Sequence, residues 1–124
     1  MTNQFVWIDI PVRELDRAIA FYTALLGAPV KKDSFEGLSF GIFPHSDTSV
    51  AGCLYEPKPG DNQPSQTGPL VYLNVSGRLD QALAAVTQHG GKVLQPKHPI
   101  GPHGFRAIVV DSEGNRIALH SPLQ

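Results

Sequence analysis

Cysteine is nearly missing from this 124-residue chain: Cys53 stands alone, so no intrachain disulfide is possible. A reducing, cytosolic setting is therefore expected. Cys53 lies in an apolar, strand-like run, so it reads as a packed thiol rather than a nucleophile. An excess of one charge is also lacking. Ten basic against eleven acidic residues leave a formal net charge of −1. No basic run or stripe appears, which excludes nucleic acid as an expected partner. No segment approaches the roughly 20 consecutive apolar residues of a membrane span, so no membrane partner is expected. The opening Met1-Thr2-Asn3-Gln4-Phe5 has no cationic leader and no long apolar run, so no signal peptide is expected. What remains is a chain that is 41% hydrophobic. That suits one domain over residues 1–124 with a sizeable core.

The chain repeats itself. Val6-Trp7-Ile8-Asp9-Ile10-Pro11-Val12 is followed by Leu15-Asp16-Arg17-Ala18-Ile19-Ala20. Later, Leu70-Val71-Tyr72-Leu73-Asn74-Val75 is followed by Leu79-Asp80-Gln81-Ala82-Leu83-Ala84. Each copy reads as an alternating strand, a polar turn and an amphipathic helix. The first half predicts a strand over Phe5–Pro11 and a helix over Leu15–Leu26. In that helix Leu15, Ala18, Ile19, Tyr22, Leu25 and Leu26 form one stripe, and Gly27 caps it. Strands follow over Pro29–Ser34, Leu38–Pro44 and Ser49–Glu56. The second half predicts a strand over Leu70–Val75, a helix over Leu79–His89, and strands over Lys92–Gln95, Gly104–Val110 and Asn115–His120. Pro57–Pro69 carries four prolines and two glycines and reads as a connector between repeats spanning about 1–57 and 69–124. Pro96–Gly104 reads as an ordered loop, and Asp111-Ser112-Glu113-Gly114-Asn115 as a tight polar turn. The fold expected is α+β, two βαβββ modules forming a curved mixed-sheet cup.

Alternation separates two faces. Ile8 with Ile10, Val71 with Leu73 and Val75, and Ile117 with Leu119 suit the helix-packed side. Trp7, Asp9, Tyr72, Asn74, Arg116, Ala118 and His120 take the other. Their polar members meet water, one another or a ligand.

These modules, the Leu-Asp-Arg-Ala-Ile-Ala-Phe-Tyr helix at 15–22 and the Asp-Ser-Glu-Gly-Asn-Arg-Ile at 111–117 resemble the vicinal oxygen chelate superfamily. That family includes glyoxalase I, bleomycin-resistance proteins, fosfomycin-resistance enzymes and extradiol dioxygenases. The resemblance implies a homodimer and, in enzymatic branches, a divalent metal at the floor of the cup. It maps the usual metal-ligand positions onto Trp7, Gly52, Leu70 and Ala118, none of which can coordinate a cation. No metal and no cofactor are therefore expected. A displaced site using Asp9, Glu56 and His120 is the alternative.

The remaining candidates divide by chemistry. Trp7 is either a stacking wall or a core residue between halves. Asp9, mid-strand where Asp is disfavoured, is either a general base or a partner for Arg116 or His120. His120 is the strongest acid–base candidate, and Arg116 is suited to a carboxylate or phosphate. Tyr72, Leu54 and His103 complete the expected ligand-binding set, with His98 and His103 on a loop over the cup mouth. The reading is a metal-free binder of a small organic molecule. The alternatives are a glyoxalase-, isomerase- or dioxygenase-type enzyme with a non-standard active site, and an interaction module whose cup is filled.

Overall fold

The computed structural model describes residues 3–122. Two βαβββ modules follow one another. The first contains β1 (Trp7–Pro11), α1 (Leu15–Leu26), β2 (Lys31–Phe35), β3 (Leu38–Ile42) and β4 (Ala51–Tyr55). The second contains β5 (Val71–Asn74), α2 (Leu79–Gln88), β6 (Lys92–Pro99), the short 3-10 helix η1 (Gly101–His103), β7 (Phe105–Val110) and β8 (Arg116–Ser121). Each module builds its own four-stranded mixed sheet, in the orders β1-β4-β3-β2 and β5-β8-β7-β6. The first strand of each module pairs parallel with the last, and the remaining pairs are antiparallel.

The aliphatic strand faces turn to the helices as their alternation predicts. Ile10, Val75, Ile117 and Leu119 lie in one buried cluster with Leu15, Ala18 and Leu25 of α1, and Ile8 and Leu73 pack against it. Gly27 ends α1 in the left-handed conformation, at φ 67°, with its N–H bonded to the Thr23 carbonyl. A side chain there would be strained, so glycine fits. Phe21 is fully buried although the one-sided stripe omits it. The reason is that α1 packs against α2 as well as against its own sheet. A helix covered on two sides needs a wider apolar arc than one stripe supplies.

One segment differs from the sequence expectation. Pro96–Gly104 is not loop throughout, because β6 continues through Pro99 with register shifts between Val93 and Gln95 and between Gln95 and His98. β6 is the outer strand of its sheet. An edge strand tolerates proline, whose missing N–H can face solvent, and a bulge absorbs the irregularity.

The polar turn at 111–115 joins the modules. The Glu113 side chain is fully shielded from solvent. Its carboxylate accepts from the backbone N–H groups of Arg13 (2.9 Å) and Glu14 (2.8 Å), Arg17 Nε (2.8 Å) and Nη2 (2.9 Å), and Ser112 Oγ (2.7 Å). It thereby satisfies donors at the entrance to α1, where no side chain from the helix itself caps. Asp111 accepts from the buried Tyr22 hydroxyl at 2.5 Å and from the backbone N–H groups of Glu113 and Asn115. Asn115 Nδ2 donates to the Pro11 carbonyl at 2.7 Å. From the other end, Arg78 donates to the Leu25 carbonyl in the last turn of α1, where a cation suits the helix dipole.

Burial by itself raises the pKa of Glu113, but the bonds from Arg17, Ser112, Glu14 and Arg13 outweigh it and hold the carboxyl down at about 2. A carboxylate depressed on folding stabilises the native state above its unfolded pKa of about 4.3, and that stabilisation is lost as pH falls through the native value. Replacing Glu113 by Gln removes the charge and mispairs the donors. It should cost about 2 to 4 kcal/mol at neutral pH. Denaturant titrations of both proteins should show the difference narrowing on acidification below the unfolded pKa. A gap that is small, or independent of pH, would show that the latch carries little.

Candidate functional site

Because the modules meet through their helices, no described element covers the other face of each sheet. Trp7 is 49% and Tyr72 47% exposed. Apart from Leu54, the sequence-predicted site residues divide between these two faces.

On the first, Trp7 Nε1–H donates to Asp9 Oδ1 at 2.6 Å, and the Cys53 thiol donates to the same oxygen at 3.3 Å. Asp9 thus has Trp7 and Cys53 for partners rather than Arg116 or His120. Burial, then the bond to Asp9 and its charge, push the Cys53 thiol up to about 12. The packed, unreactive thiol expected from its sequence setting agrees with this.

Two positions are corrected by register. Leu54 was expected to line the ligand site, but it pairs in register with Ile10 and is fully buried in the core. Gly52, the expected metal-ligand position in the first module, pairs with Ile8 and so shares the helix-packed face. A Cβ there would stand 2.6 Å from the Ile8 carbonyl oxygen, so no ligating side chain fits. In the second module Ala118 pairs with Tyr72. In the first, Cys53 pairs with Asp9. Tyr72 and Asp9 are equivalent in the repeat, so Cys53 is the true counterpart of Ala118. Strand alternation around Gly52 is ambiguous in sequence because Ala51, Gly52 and Cys53 are all small.

The second face holds a cavity of about 550 Å³ lined by Tyr72, Leu73, Asn74, Ile100, His103, Arg106 and His120. Three predicted residues meet here: Tyr72, His103 and His120. His120 Nε2 lies 2.6 Å from the His103 carbonyl oxygen. The ring nitrogen must donate to that carbonyl, which leaves Nδ1 without a partner among the described residues. Arg106 Nη1 donates to the Tyr72 hydroxyl oxygen at 2.7 Å. The Tyr72 proton is then available to a further acceptor.

The arginine of this cavity is Arg106, not Arg116. Arg116 is exposed and pairs with Val110 at the far end of β8. It stands four positions before His120, about 13 Å along a strand. Arg106 went unmarked in the sequence, although it is the one charged residue in Phe105–Val110. The reasoning that singled out Asp9, a charge inside a β-forming run, would have found it.

A second cavity of about 450 Å³ lies between the entrance to α1 and the β2–β3 hairpin, with Tyr55, Phe40 and Leu38 in its wall. Its acids are largely engaged. Glu56 accepts from the Leu15 N–H, Asp16 pairs with Lys32, and Asp61 accepts from the Lys58 N–H. Glu56 is thus directed to the helix entrance and does not join Asp9 and His120. Among the described residues no three His, Cys, Asp or Glu side chains are grouped so as to hold a metal ion, and no helix is long and apolar enough to cross a membrane.

Comparison with known proteins places this architecture. The chain is 27% identical over 124 residues to proteins of Mycobacterium bovis and Mycobacterium tuberculosis named putative glyoxylase CFP32, covering 98% of this chain and 45% of theirs. It therefore spans less than half the length of those relatives. A glyoxalase/bleomycin resistance protein from Albidiferax ferrireducens T118 superposes with a TM-score of 0.75 at 21% identity, over 96% of this chain and 98% of that one. A glyoxalase I mutant from Zea mays superposes with a TM-score of 0.69 at 19% identity, over 94% of this chain and 46% of that one. At such identities the superpositions establish fold, and the chemistry rests with the site. Residues 4–119 match one family throughout, and the chain belongs to the Glyoxalase/Bleomycin resistance protein/Dioxygenase superfamily.

Proposed function

We propose that this protein binds a small organic molecule bearing an anionic or strongly accepting oxygen group, without a metal, in the cavity on the second sheet. One observation carries the reading: Arg106, Tyr72 and His120 line a single hollow whose surface is mostly apolar and whose lining includes Ile100. A guanidinium and a phenol proton suit a carboxylate, sulfonate or enolate oxygen, and the apolar wall suits the attached carbon skeleton. His120, whose Nδ1 has no partner among the described residues, is the group through which an isomerase- or lyase-type reaction would move a proton.

Metal independence is inferred from the donor set. The four family positions, corrected for register, hold an indole, a thiol, an isobutyl and a methyl group. The thiol is the one potential donor, and it binds metal as thiolate. Burial and Asp9 oppose that form.

The uncovered faces support a homodimer. β1 and β5 are outer strands; exposed Phe5 (80%) and Val6 (68%) lead into the first of them, which opens on Trp7. By register the first face carries Asp9 and Asp33 with Lys31, and the second carries Lys92, Arg106 and Arg116. A second copy would set opposite charges together, bring Trp7 and Asp9 over the cavity and cover both faces.

Three measurements test this reading. Titration with 8-anilinonaphthalene-1-sulfonate, an anionic aromatic fluorophore, should show saturable binding, and Arg106→Ala should weaken it by about tenfold or more. Equal affinity in the two proteins would remove Arg106 from the site. Elemental analysis should return no stoichiometric metal, and chelation should leave probe affinity unchanged. A divalent ion that restores lost affinity after chelation would overturn metal independence. Sedimentation should give a dimer at micromolar concentration, with the emission of Trp7 shielded from acrylamide. A monomer with a freely quenched tryptophan would exclude the dimer.

A further inference from the structure

His98 stands outside the cavity wall, and its sequence setting is that of an ordinary loop histidine. The structure puts it on β6, directly opposite Arg106. Its ring makes two hydrogen bonds. Nε2 accepts from Arg106 Nε at 3.1 Å, and Nδ1 lies 2.8 Å from the Pro96 carbonyl oxygen. Both contacts require the same proton placement. A carbonyl must receive a proton, so Nδ1 carries it, and a guanidinium N–H needs a lone pair, so Nε2 is bare. The reverse tautomer would confront N–H with N–H at Arg106 and lone pair with lone pair at Pro96.

The register explains why a histidine, and not its neighbour, occupies this place. Gln95 pairs with Ile108. Regular antiparallel pairing from there would set Lys97 opposite Arg106. The shift between Gln95 and His98 inserts one residue, and His98 arrives instead. Lys97 extends to Asp80 on α2, with Nζ 3.0 Å from the carboxylate. An ammonium facing Arg106 would repel it and offer no acceptor. A neutral imidazole supplies the lone pair.

We infer that His98 is a positioning residue for Arg106, a bulge-placed acceptor that aims the guanidinium at Tyr72 and at a ligand. The chain of bonds runs from the Pro96 carbonyl through His98 to Arg106 and then Tyr72. With Nε held by His98 and Nη1 by Tyr72, the remaining guanidinium N–H groups and the Tyr72 proton are the donors left for a bound oxygen group. Removing the acceptor lets the side chain swing, and the donors lose their common direction. This role rests on the cavity being the ligand site.

The test has one readout that needs no ligand and one that does. At about pH 8, where free imidazole is neutral, two-bond ¹H–¹⁵N correlation spectra of labelled protein should show His98 protonated at Nδ1 and bare at Nε2. The reverse tautomer would overturn the contact and with it the inference. In parallel, His98→Ala should weaken binding of 8-anilinonaphthalene-1-sulfonate about tenfold. His98→Gln, whose amide oxygen can replace Nε2 as acceptor, should restore most of that loss. Melting temperatures of both variants should stay close to that of the unchanged protein, because the contact lies on an outer strand. Equal affinity in all three proteins would sink the positioning role. If Arg106→Ala also bound the probe unchanged, the cavity reading would fail with it, whereas loss in Arg106→Ala alone would leave that reading standing and condemn His98 only.

Discussion

A carboxylate with no access to water organises this molecule. Moving such a charge out of solvent costs several kcal/mol unless its lone pairs are met. Glu113 is met by five hydrogen bonds, four of them from the start of the first module. The acid therefore stabilises burial only when the two modules are docked. Asp111 imposes the same condition through Tyr22, whose hydroxyl lies inside the shared core and requires an acceptor there. These contacts couple the entrance of α1 to the β7–β8 turn and fix which surfaces face each other.

That docking decides what the sheets can do. Helix and aliphatic faces are consumed in joining the modules, and the mixed faces point away from the core. The aromatic and charged residues of those faces are left available. On one, Asp9 is held by an indole and a thiol. On the other, Arg106, Tyr72 and His120 surround a hollow, with His98 behind the arginine. The two faces differ, with Lys31 and Asp33 beside Asp9 on one and Lys92, Arg106 and Arg116 on the other, although each half follows the same plan. The two halves share a scaffold, and the side chains at equivalent positions differ.

Much of the scaffold was legible from residue pattern. α1 has the bounds that its periodicity and Gly27 predict, and every strand exists close to its expected place. Periodicity reports burial by a single neighbour, which is why it missed Phe21, buried by a second. It also missed the continuation of β6, because three prolines suggest a loop wherever one cannot see that the strand is at an edge. The site was half legible. Tyr72 and His120 were found by alternation, His103 by its place in a Pro/Gly-rich loop, and the three do meet. Leu54 and Gly52 were placed on the wrong face, since a run of small and apolar residues gives alternation nothing to read. Arg106 was passed over in favour of Arg116, which lies nearer the family motif but far along the strand.

Sequence by itself determined the elements, the twofold plan of the chain and the family to which it belongs. These follow from local preferences and from a repeat visible in one dimension. Only the tertiary structure decided that the motif at 111–115 is a latch, that Cys53 is the counterpart of Ala118, and that His98 rather than Lys97 stands opposite Arg106. Each depends on register or on docking. A strand turned by one residue exchanges its faces, and a polar turn finds its purpose only when another module supplies the donors.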